Sequence, residues 1–330
     1  MEKVEANMVK ALHKKLAACR RVFFLLLFFL GGCASVSPIL PPQAKALKLD
    51  VPFVSQDAAH CGPAALASAL QYYAVPTTLN ALVDEVYVPG RKGSLTLEMT
   101  AATRRNGLLP YPIEPSLDAL LQELDAGHPV LVLQNLAFNW WPQWHYALVV
   151  GYSENGRTLL LHSGERPYYA IDAGTFMRTW ARVDHWGLVL TPLDQIPQTA
   201  AALPYLSSID KMRQTRTIGN DQLQVALSQA ALHWPESPSA QFVYANWLLE
   251  QHQPGRAVEY YERGLSLQSD NILALNNYAY ALHAVGCRAR AQQIIDRVIQ
   301  LAPGDVRFEE SARELAGDEL PGAPSAACAR

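Results

Sequence analysis

The sequence predicts two folded parts, an α+β domain and, after it, an all-α domain built from repeats. Between residues 51 and 195, segments with helical spacing come first and apolar, β-branched runs at hairpin spacing follow. This is the order of an α+β domain with a mostly antiparallel sheet. From residue 217 onward, residues of similar type recur every 34 positions, which indicates stacked helical repeats. A length of 330 residues fits about two domains.

The elements of the first domain follow from apolar periodicity and from start and stop signals. Ser116 is typical of a helix N-cap, and Asn106-Gly107 and Gly127 are helix stop signals. We expect the chain to be broken at 110–112 by its two prolines. The predicted helices are 61–73, 79–86, 96–105, 117–126 and 175–183, and the predicted strands are 49–54, 129–134, 144–152, 157–163, 168–171 and 186–190.

The C-terminal third has a period that indicates pairs of helices. Two full repeats cover about 237–303, and Gln222–His233 is half of an earlier one. The pattern resembles tetratricopeptide repeats, which implies a concave groove for a peptide or partner protein; a packing domain without a ligand is the alternative. The recurring positions are Ala245, Leu248, Ala257, Tyr261, Leu265 and Leu267, which return as Ala279, Leu282, Ala291, Ile295, Ile299 and Leu301.

The N-terminus is typical of a targeting segment. A basic region precedes nine apolar residues, Val22 to Leu30, a run too short to span a bilayer. The following Leu30-Gly31-Gly32-Cys33 resembles a bacterial lipobox, which implies lipid attachment to Cys33, with Ala34 favouring the outer membrane. We therefore expect an outer-membrane lipoprotein of the bacterial cell envelope that faces the periplasm, with an ordinary signal peptide as the alternative.

The predicted organisation has six parts. They are a lipoprotein signal peptide (1–32), a proline-containing tether (33–50), the α+β domain (51–195), a linker (196–216), the repeats (217–305) and a tail (306–330).

Charge and metal-ligand spacing exclude several classes of function. The formal net charge is −3; residues 1–32 carry +4, which leaves −7 for the rest. A net acidic body argues against non-specific nucleic-acid binding. No pair of histidines has the spacing of a zinc site and there is no glycine-rich phosphate loop, so we predict no metal and no cofactor.

Cys61 is the candidate nucleophile. It directly precedes Gly62-Pro63 and an apolar helical run, and proline is tolerated in the first turn of a helix. A cysteine at a helix N-terminus is favoured as the thiolate, which is the nucleophilic form. His145 opens a β-branched and aromatic run that ends at Gly151-Tyr152. A cysteine at a helix start and a histidine on a later strand can form a nucleophile–base pair when they are spatial neighbours; a buried, inert cysteine is the alternative.

These residues carry a family resemblance. Gln56, the Cys-Gly-Pro-Ala-Ala-Leu run from Cys61 and the His-Tyr-Ala-Leu-Val-Val-Gly-Tyr run from His145 resemble the papain-like cysteine peptidases related to bacteriocin-processing (double-glycine leader) peptidases. The resemblance covers about 51–195 and implies an α+β papain-like fold. It also implies Cys61 as nucleophile, His145 as general base and acid, and Gln56 as oxyanion-hole donor.

The third catalytic position departs from the family pattern. The family usually has Asp or Asn about 17 residues after the histidine, and here that position is His162. An imidazole orients a neighbouring histidine but supplies no negative charge to stabilise an imidazolium. A Cys–His dyad is favoured, with Ser163 or Asp172 as substitutes for the third residue.

The sequence leaves two alternatives for the role of each of two groups of residues. Phe138, Trp140 and Trp141 either form a wall of a substrate groove beside His145 or fill the core. Cys287 and Cys328 pair in an oxidising compartment, or Cys287 is a small packing residue.

The sequence thus predicts a lipid-anchored cysteine peptidase whose partners are a peptide or protein substrate, a protein docked on the repeats and the membrane. The alternatives are a weak or inactive peptidase-like binding scaffold and a thiol acyltransferase.

Overall fold

The structure, a computed structural model, describes residues 46–55, 60–91, 93–153, 157–317 and Cys328. The signal peptide, Cys33, residues 33–45 of the tether, Gln56 and the turn at 154–156 lie outside these residues. Within the described part, no helix has the length and apolar character needed to cross a bilayer.

The first domain is an antiparallel sheet with helices on both faces. Its helices are α1 (Cys61–Tyr72), α2 (Leu79–Val86), α3 (Thr96–Arg105), α4 (Leu117–Asp125) and α5 (Ala173–Ala181). Its strands are β1 (Leu47–Lys48), β2 (Tyr87–Val88), β3 (Gly93–Ser94), β4 (Leu109–Pro112), β5 (Val130–Asn135), β6 (Trp144–Tyr152), β7 (Thr158–Ser163), β8 (Arg166–Asp172) and β9 (Gly187–Thr191). The main sheet has the order β4-β9-β5-β6-β7-β8, and β2 and β3 form a separate hairpin.

The alternation of side chains along β6 divides the core between the two faces of the sheet. Tyr146, Leu148 and Val150 pack with α1, whose residues from Cys61 to Leu70 are all buried. Ala147 and Val149 face the opposite layer, which contains α4 and α5. Successive residues of a strand point to opposite faces, so the buried run of β6 is apolar at every position instead of alternating.

The predicted fold class is confirmed. Strand 49–54 is wrong: β1 covers only Leu47–Lys48, which pair with Tyr152 and Gly151, and Leu49 continues with one hydrogen bond to Val150. The break predicted at 110–112 is also wrong, because these residues belong to β4. That strand pairs only with β9, so the N–H groups missing from its prolines fall at an open edge, where proline is tolerated.

The segment predicted as a linker contains a packed helix. The C-terminal helices are α6 (Ala202–Gln214), α7 (Asn220–His233), α8 (Pro238–Glu250), α9 (Pro254–Leu267), α10 (Ile272–Ala284), α11 (Arg288–Leu301) and α12 (Val306–Gly317). In α6, Tyr205, Ile209 and Met212 are fully buried, so 196–216 is not a flexible connection. Pro204 lies in the first turn, where it does not interrupt the helix.

The repeats have the predicted period. α10 and α11 begin 34 residues after α8 and α9, and each pair buries alanines where its helices meet. The predicted tail contains α12, which packs Phe308 and Leu315 on the last repeat. Cys287 is buried and forms a disulfide with Cys328, so its role is not packing alone.

Glu123, a fully buried carboxylate of α4, joins the first domain to the segment that leads into α6. It accepts hydrogen bonds from the Thr199 N–H (2.7 Å) and hydroxyl (2.6 Å) and from the Gln198 N–H (3.1 Å), and it contacts His128 Nδ1 at 2.8 Å. Burial alone would raise the pKa of Glu123. The hydrogen bonds from His128 and Thr199 outweigh burial and hold that pKa below its ordinary value of 4.5.

Replacing the Glu123 carboxylate is expected to lower the free energy of unfolding and to make that free energy less dependent on pH. Glu123→Gln should lower the free energy of unfolding at pH 7 by about 3 kcal/mol, because charged hydrogen bonds inside the protein are lost. A carboxyl whose folded pKa is depressed stabilises the fold above its unfolded pKa and loses that contribution as the pH falls through the folded value. Urea unfolding between pH 3 and 7 measures both effects; equal loss of stability on acidification in the wild type and the variant would contradict them.

Candidate active site

Cys61 begins α1 at the end of the sheet where β6 starts. Its sulfur accepts a hydrogen bond from the backbone N–H of Tyr146 at 3.5 Å. The pairing between β6 and β7 runs only as far as Leu148 and His162, so Tyr146 lies beyond it. The sulfur accepts the Tyr146 N–H in place of a carbonyl of β7. Cys61 is buried and is not part of a disulfide.

The contact brings the sulfur close to His145. The Tyr146 nitrogen is two covalent bonds from the Cα of His145, so that Cα lies within roughly 6 Å of the sulfur. The sulfur and the backbone of His145 therefore lie at the same end of the sheet, and the pairing of the two side chains stays a prediction.

The start of α1 has backbone N–H groups that are not bonded within the helix. The first N–H groups of a helix have no partner within it, and the side chain of the N-cap residue His60 makes no capping hydrogen bond. Gly62 allows a close approach at this point, since a Cβ there would lie 2.8 Å from the Ser94 hydroxyl and 3.1 Å from the Met99 sulfur. The glycine after the cysteine is thus required by the packing of β3 on the helix.

Ser163 contacts the imidazole of His145. Its Oγ lies 2.8 Å from Nε2 of His145, and burial together with the nearby Arg166 lowers the pKa of that imidazole. With Nε2 held by the hydroxyl, Nδ1 is the ring nitrogen left for another partner. A neutral hydroxyl orients the ring but does not stabilise an imidazolium as a carboxylate would.

The structure does not place His162 beside His145. His162 lies on the α1 face of the sheet, where Nε2 donates to the Val51 carbonyl at 2.9 Å and Nδ1 accepts from the Tyr168 N–H at 3.2 Å. Both ring nitrogens are used, and these partners require the neutral tautomer with hydrogen on Nε2. Burial lowers the pKa of His162, with a smaller contribution from Lys48.

Asp172 is also not a member of the site. Its carboxylate caps α5 by accepting hydrogen bonds from the N–H and hydroxyl of Thr175. Gln56 is outside the described residues, so its predicted place in an oxyanion hole stays a prediction.

A cavity of about 470 Å³ opens beside Cys61. The β3 wall presents the hydroxyl of Ser94, which is buried and has no hydrogen-bond partner within the described part of the chain. The Tyr146 hydroxyl donates to the Ser94 carbonyl at 3.3 Å and fixes this wall to β6. The lining residues are Cys61, Arg91, Gly93, Ser94, Leu95, Thr96, Leu133, Trp144 and Tyr146.

Comparison with known proteins concerns first the α+β domain. Residues 48–186 match the model of the Peptidase_C39 like family. This part of the chain is similar to C39 peptidase domains, and the helices that follow are similar to tetratricopeptide repeats. No curated protein matches the chain.

Solved structures similar to parts of the chain fall into two groups. One is a double glycine motif protease from an AMS/PCAT transporter in complex with the leader peptide (21% identity, 46% of this chain, 99% of that one, TM-score 0.34). Another is a putative C39-like peptidase from Bacillus anthracis (14% identity, 45% and 98%, TM-score 0.37). The repeats are similar to the first TPR of Spaghetti (RPAP3) bound to an HSP90 peptide (16% identity, 35% and 90%, TM-score 0.32).

The role of Ser163 is testable through the titration of His145. Ser163→Asp should raise the pKa of His145 by about 1–3 units, because an opposite charge at hydrogen-bond distance favours the imidazolium. Ser163→Asn is the matched control, since it has the same size without the charge. Histidine NMR titration measures both; an equal pKa in the two variants would show that residue 163 does not contact this ring.

Proposed function

We propose that the C39-like domain hydrolyses peptide bonds through the thiolate of Cys61, with His145 as general base and acid. The supporting observation is the hydrogen bond from the Tyr146 N–H to the Cys61 sulfur, which holds the sulfur one residue from His145. A helix N-terminus, a nearby imidazole and an adjacent cavity are the parts that a cysteine nucleophile needs.

The reaction has two stages. His145 takes the thiol proton, the sulfur attacks the carbonyl carbon of the substrate, and His145 returns the proton to the leaving amine as the C–N bond breaks. In the second stage His145 takes a proton from water, the hydroxide attacks the thioester, and the acid product leaves as the thiol re-forms. The Cys61 N–H and the Gln56 side chain are the proposed donors to the oxyanion in both stages.

The lowered pKa of His145 affects the pH range of this chemistry. The neutral imidazole is the base, and it persists to a lower pH than for an ordinary histidine because burial and Arg166 disfavour its charged form. This keeps the base available in mildly acidic conditions, while the Ser163 hydroxyl that contacts the ring supplies no negative charge to stabilise the thiolate–imidazolium pair.

The repeats are proposed to dock the protein substrate or a partner. α6, α7 and α8 enclose a cavity of about 580 Å³ whose lining includes Trp247. The indole N–H of Trp247 is buried and has no hydrogen-bond partner in the described part of the chain. The buried face of α6 packs against the core of the first domain. A protein docked in this cavity would therefore be held in a fixed position relative to that domain.

The peptidase proposal predicts that two single substitutions abolish turnover. Cys61→Ala and His145→Ala should each lower kcat/KM for a cleaved peptide by about a thousandfold or more. His233→Ala, on the exposed side of α7, is the matched control and should leave turnover unchanged. A peptide that the wild type cleaves is first found by mass spectrometry of a digested peptide library. Cleavage of that peptide by Cys61→Ala would exclude the mechanism. Acyl transfer to an added amine would instead indicate an acyltransferase.

We also propose that Cys33 is lipidated and anchors the protein to the outer membrane of the cell envelope, facing the periplasm. The run of small residues before Cys33 and the proline-containing tether after it support this. In cells, Cys33→Ser should move the protein from the detergent phase to the aqueous phase on Triton X-114 partitioning and remove the acyl mass from its N-terminal peptide. Detergent partitioning and a peptide mass equal to the wild type would contradict lipidation.

A further inference from the structure

The connection from β5 to β6 displays aromatic rings to solvent. Phe138, Trp140 and Trp141 are 61%, 78% and 71% exposed, and Trp144 at the start of β6 is 55% exposed. Phe138 and Trp140 stack on each other, with ring centroids 5.5 Å apart and an angle of 10° between the rings. We call residues 136–144 the aromatic loop. The expectation that the rings fill the core is wrong, and Trp144 lines the cavity beside Cys61; a groove wall beside His145 stays a prediction.

The loop is held in this shape by its own hydrogen bonds. Asn135 Oδ1 accepts from the N–H groups of Ala137 (3.1 Å) and Gln143 (3.0 Å), and the Leu136 N–H donates to the Gln143 carbonyl. The Trp141 N–H donates to the Phe138 carbonyl at 3.0 Å. Arg182 fixes the base of the loop by donating to the Asn135 carbonyl at 2.9 Å. The rings are therefore exposed by a defined structure, and much of the backbone is satisfied without water.

The chemistry of the loop differs from that of the rest of the surface. The nine residues Leu-Ala-Phe-Asn-Trp-Trp-Pro-Gln-Trp carry no charge and hold three of the seven tryptophans of the chain. Of the other tryptophans, Trp180 is fully buried, Trp247 is 5% exposed, and Trp186 and Trp234 are partly buried. Contiguous exposed apolar groups of this kind mark an interaction surface.

We propose that the aromatic loop is a membrane-binding loop that inserts Phe138, Trp140 and Trp141 into the interfacial region of a lipid bilayer. Tryptophan is enriched at that depth because its ring is apolar and its N–H still reaches water or headgroups. Peptide sites are concave and place a few polar groups for direction. The three rings lie outside the cavity beside Cys61 and have no charged neighbour within the loop, which favours lipid over a peptide.

Lipid binding by the loop would set the orientation of the active site. Trp144 belongs both to the loop and to the lining of the cavity beside Cys61, so that cavity would open at the membrane surface. The nine residues of β6 place β1 roughly 27 Å from the loop. The fourteen residues from Cys33 to Leu47 can reach up to roughly 46 Å, so a lipid on Cys33 and the loop can touch one bilayer together. The proposal does not require Cys33 lipidation or catalysis.

The test is tryptophan quenching by vesicles of brominated phosphatidylcholine, with unbrominated vesicles as the reference. The full chain carries Cys33→Ser, and residues 1–45 contain no tryptophan, so quenching does not report the N-terminal segment. The proposal predicts quenching in this protein and loss of most of it in Trp140→Ser/Trp141→Ser. Leu203→Ser/Leu273→Ser is the matched control, since these leucines of α6 and α10 are 65% and 63% exposed, and should be quenched like the parent.

The outcomes separate lipid binding from peptide binding and from catalysis. Absence of quenching in the parent, or equal quenching in the tryptophan variant, overturns the proposal. A higher KM for a soluble peptide in the tryptophan variant, without an effect on quenching, also overturns it and assigns the loop to substrate binding. Quenching that persists in Cys61→Ala supports the proposal whatever the result of the peptidase assay, and unchanged thermal unfolding shows that the serine substitutions have not disturbed the fold.

Discussion

The hydrogen bond from the Tyr146 N–H to the Cys61 sulfur is the contact on which the site depends. It joins the start of α1 to the start of β6. The sulfur accepts the Tyr146 N–H at a point where the neighbouring strand β7 no longer pairs with β6. Its geometry requires α1 to lie flat on the sheet, which the ten consecutive buried residues from Cys61 to Leu70 achieve. Gly62 contributes because any larger side chain would push β3 away from the same point.

Neighbouring residues of β6 and β7 lie on opposite faces of the sheet and have different roles. Tyr146 and His162 face α1 and hold structure, while Leu161 and Ala147 belong to the opposite layer. Ser163 meets His145 at the end of the strands, and its hydroxyl provides orientation without charge. The proposed catalytic residues are therefore one position away, in each strand, from residues that stabilise the fold.

Much of the fold was predictable because local signals and tertiary packing agree. Leu79–Val86 and Thr96–Arg105 are helices and Trp144–Tyr152 is a strand, as predicted. Pro110 and Pro112 gave the wrong signal, since only the position of β4 at a sheet edge makes prolines acceptable there. Prolines also hid α6, although the spacing of Tyr205, Ile209 and Met212 is helical.

The pairing of Cys61 with His145 stays a prediction, whereas the residue that contacts the His145 ring is not the one that the family spacing indicated. The family spacing of about 17 residues after His145 leads to His162. The face of the strand on which a residue lies decides whether its side chain can reach the imidazole of His145, and Ser163 does so. The β6–β7 pairing contains register irregularities near Val149 and the β7–β8 pairing near Leu161, and these are not visible in the sequence. The pairing of Cys287 with Cys328 was likewise open, because a sequence separation of 41 residues does not show whether two cysteines meet.

The central claim is that His145 activates the Cys61 sulfur, and the rate of alkylation of Cys61 by iodoacetamide as a function of pH tests it most directly. The account predicts that the wild-type rate rises with an inflection well below ~8.5, the ordinary value for a cysteine thiol, and that His145→Ala moves the inflection upward. The same inflection near ~8.5 in both proteins would contradict it.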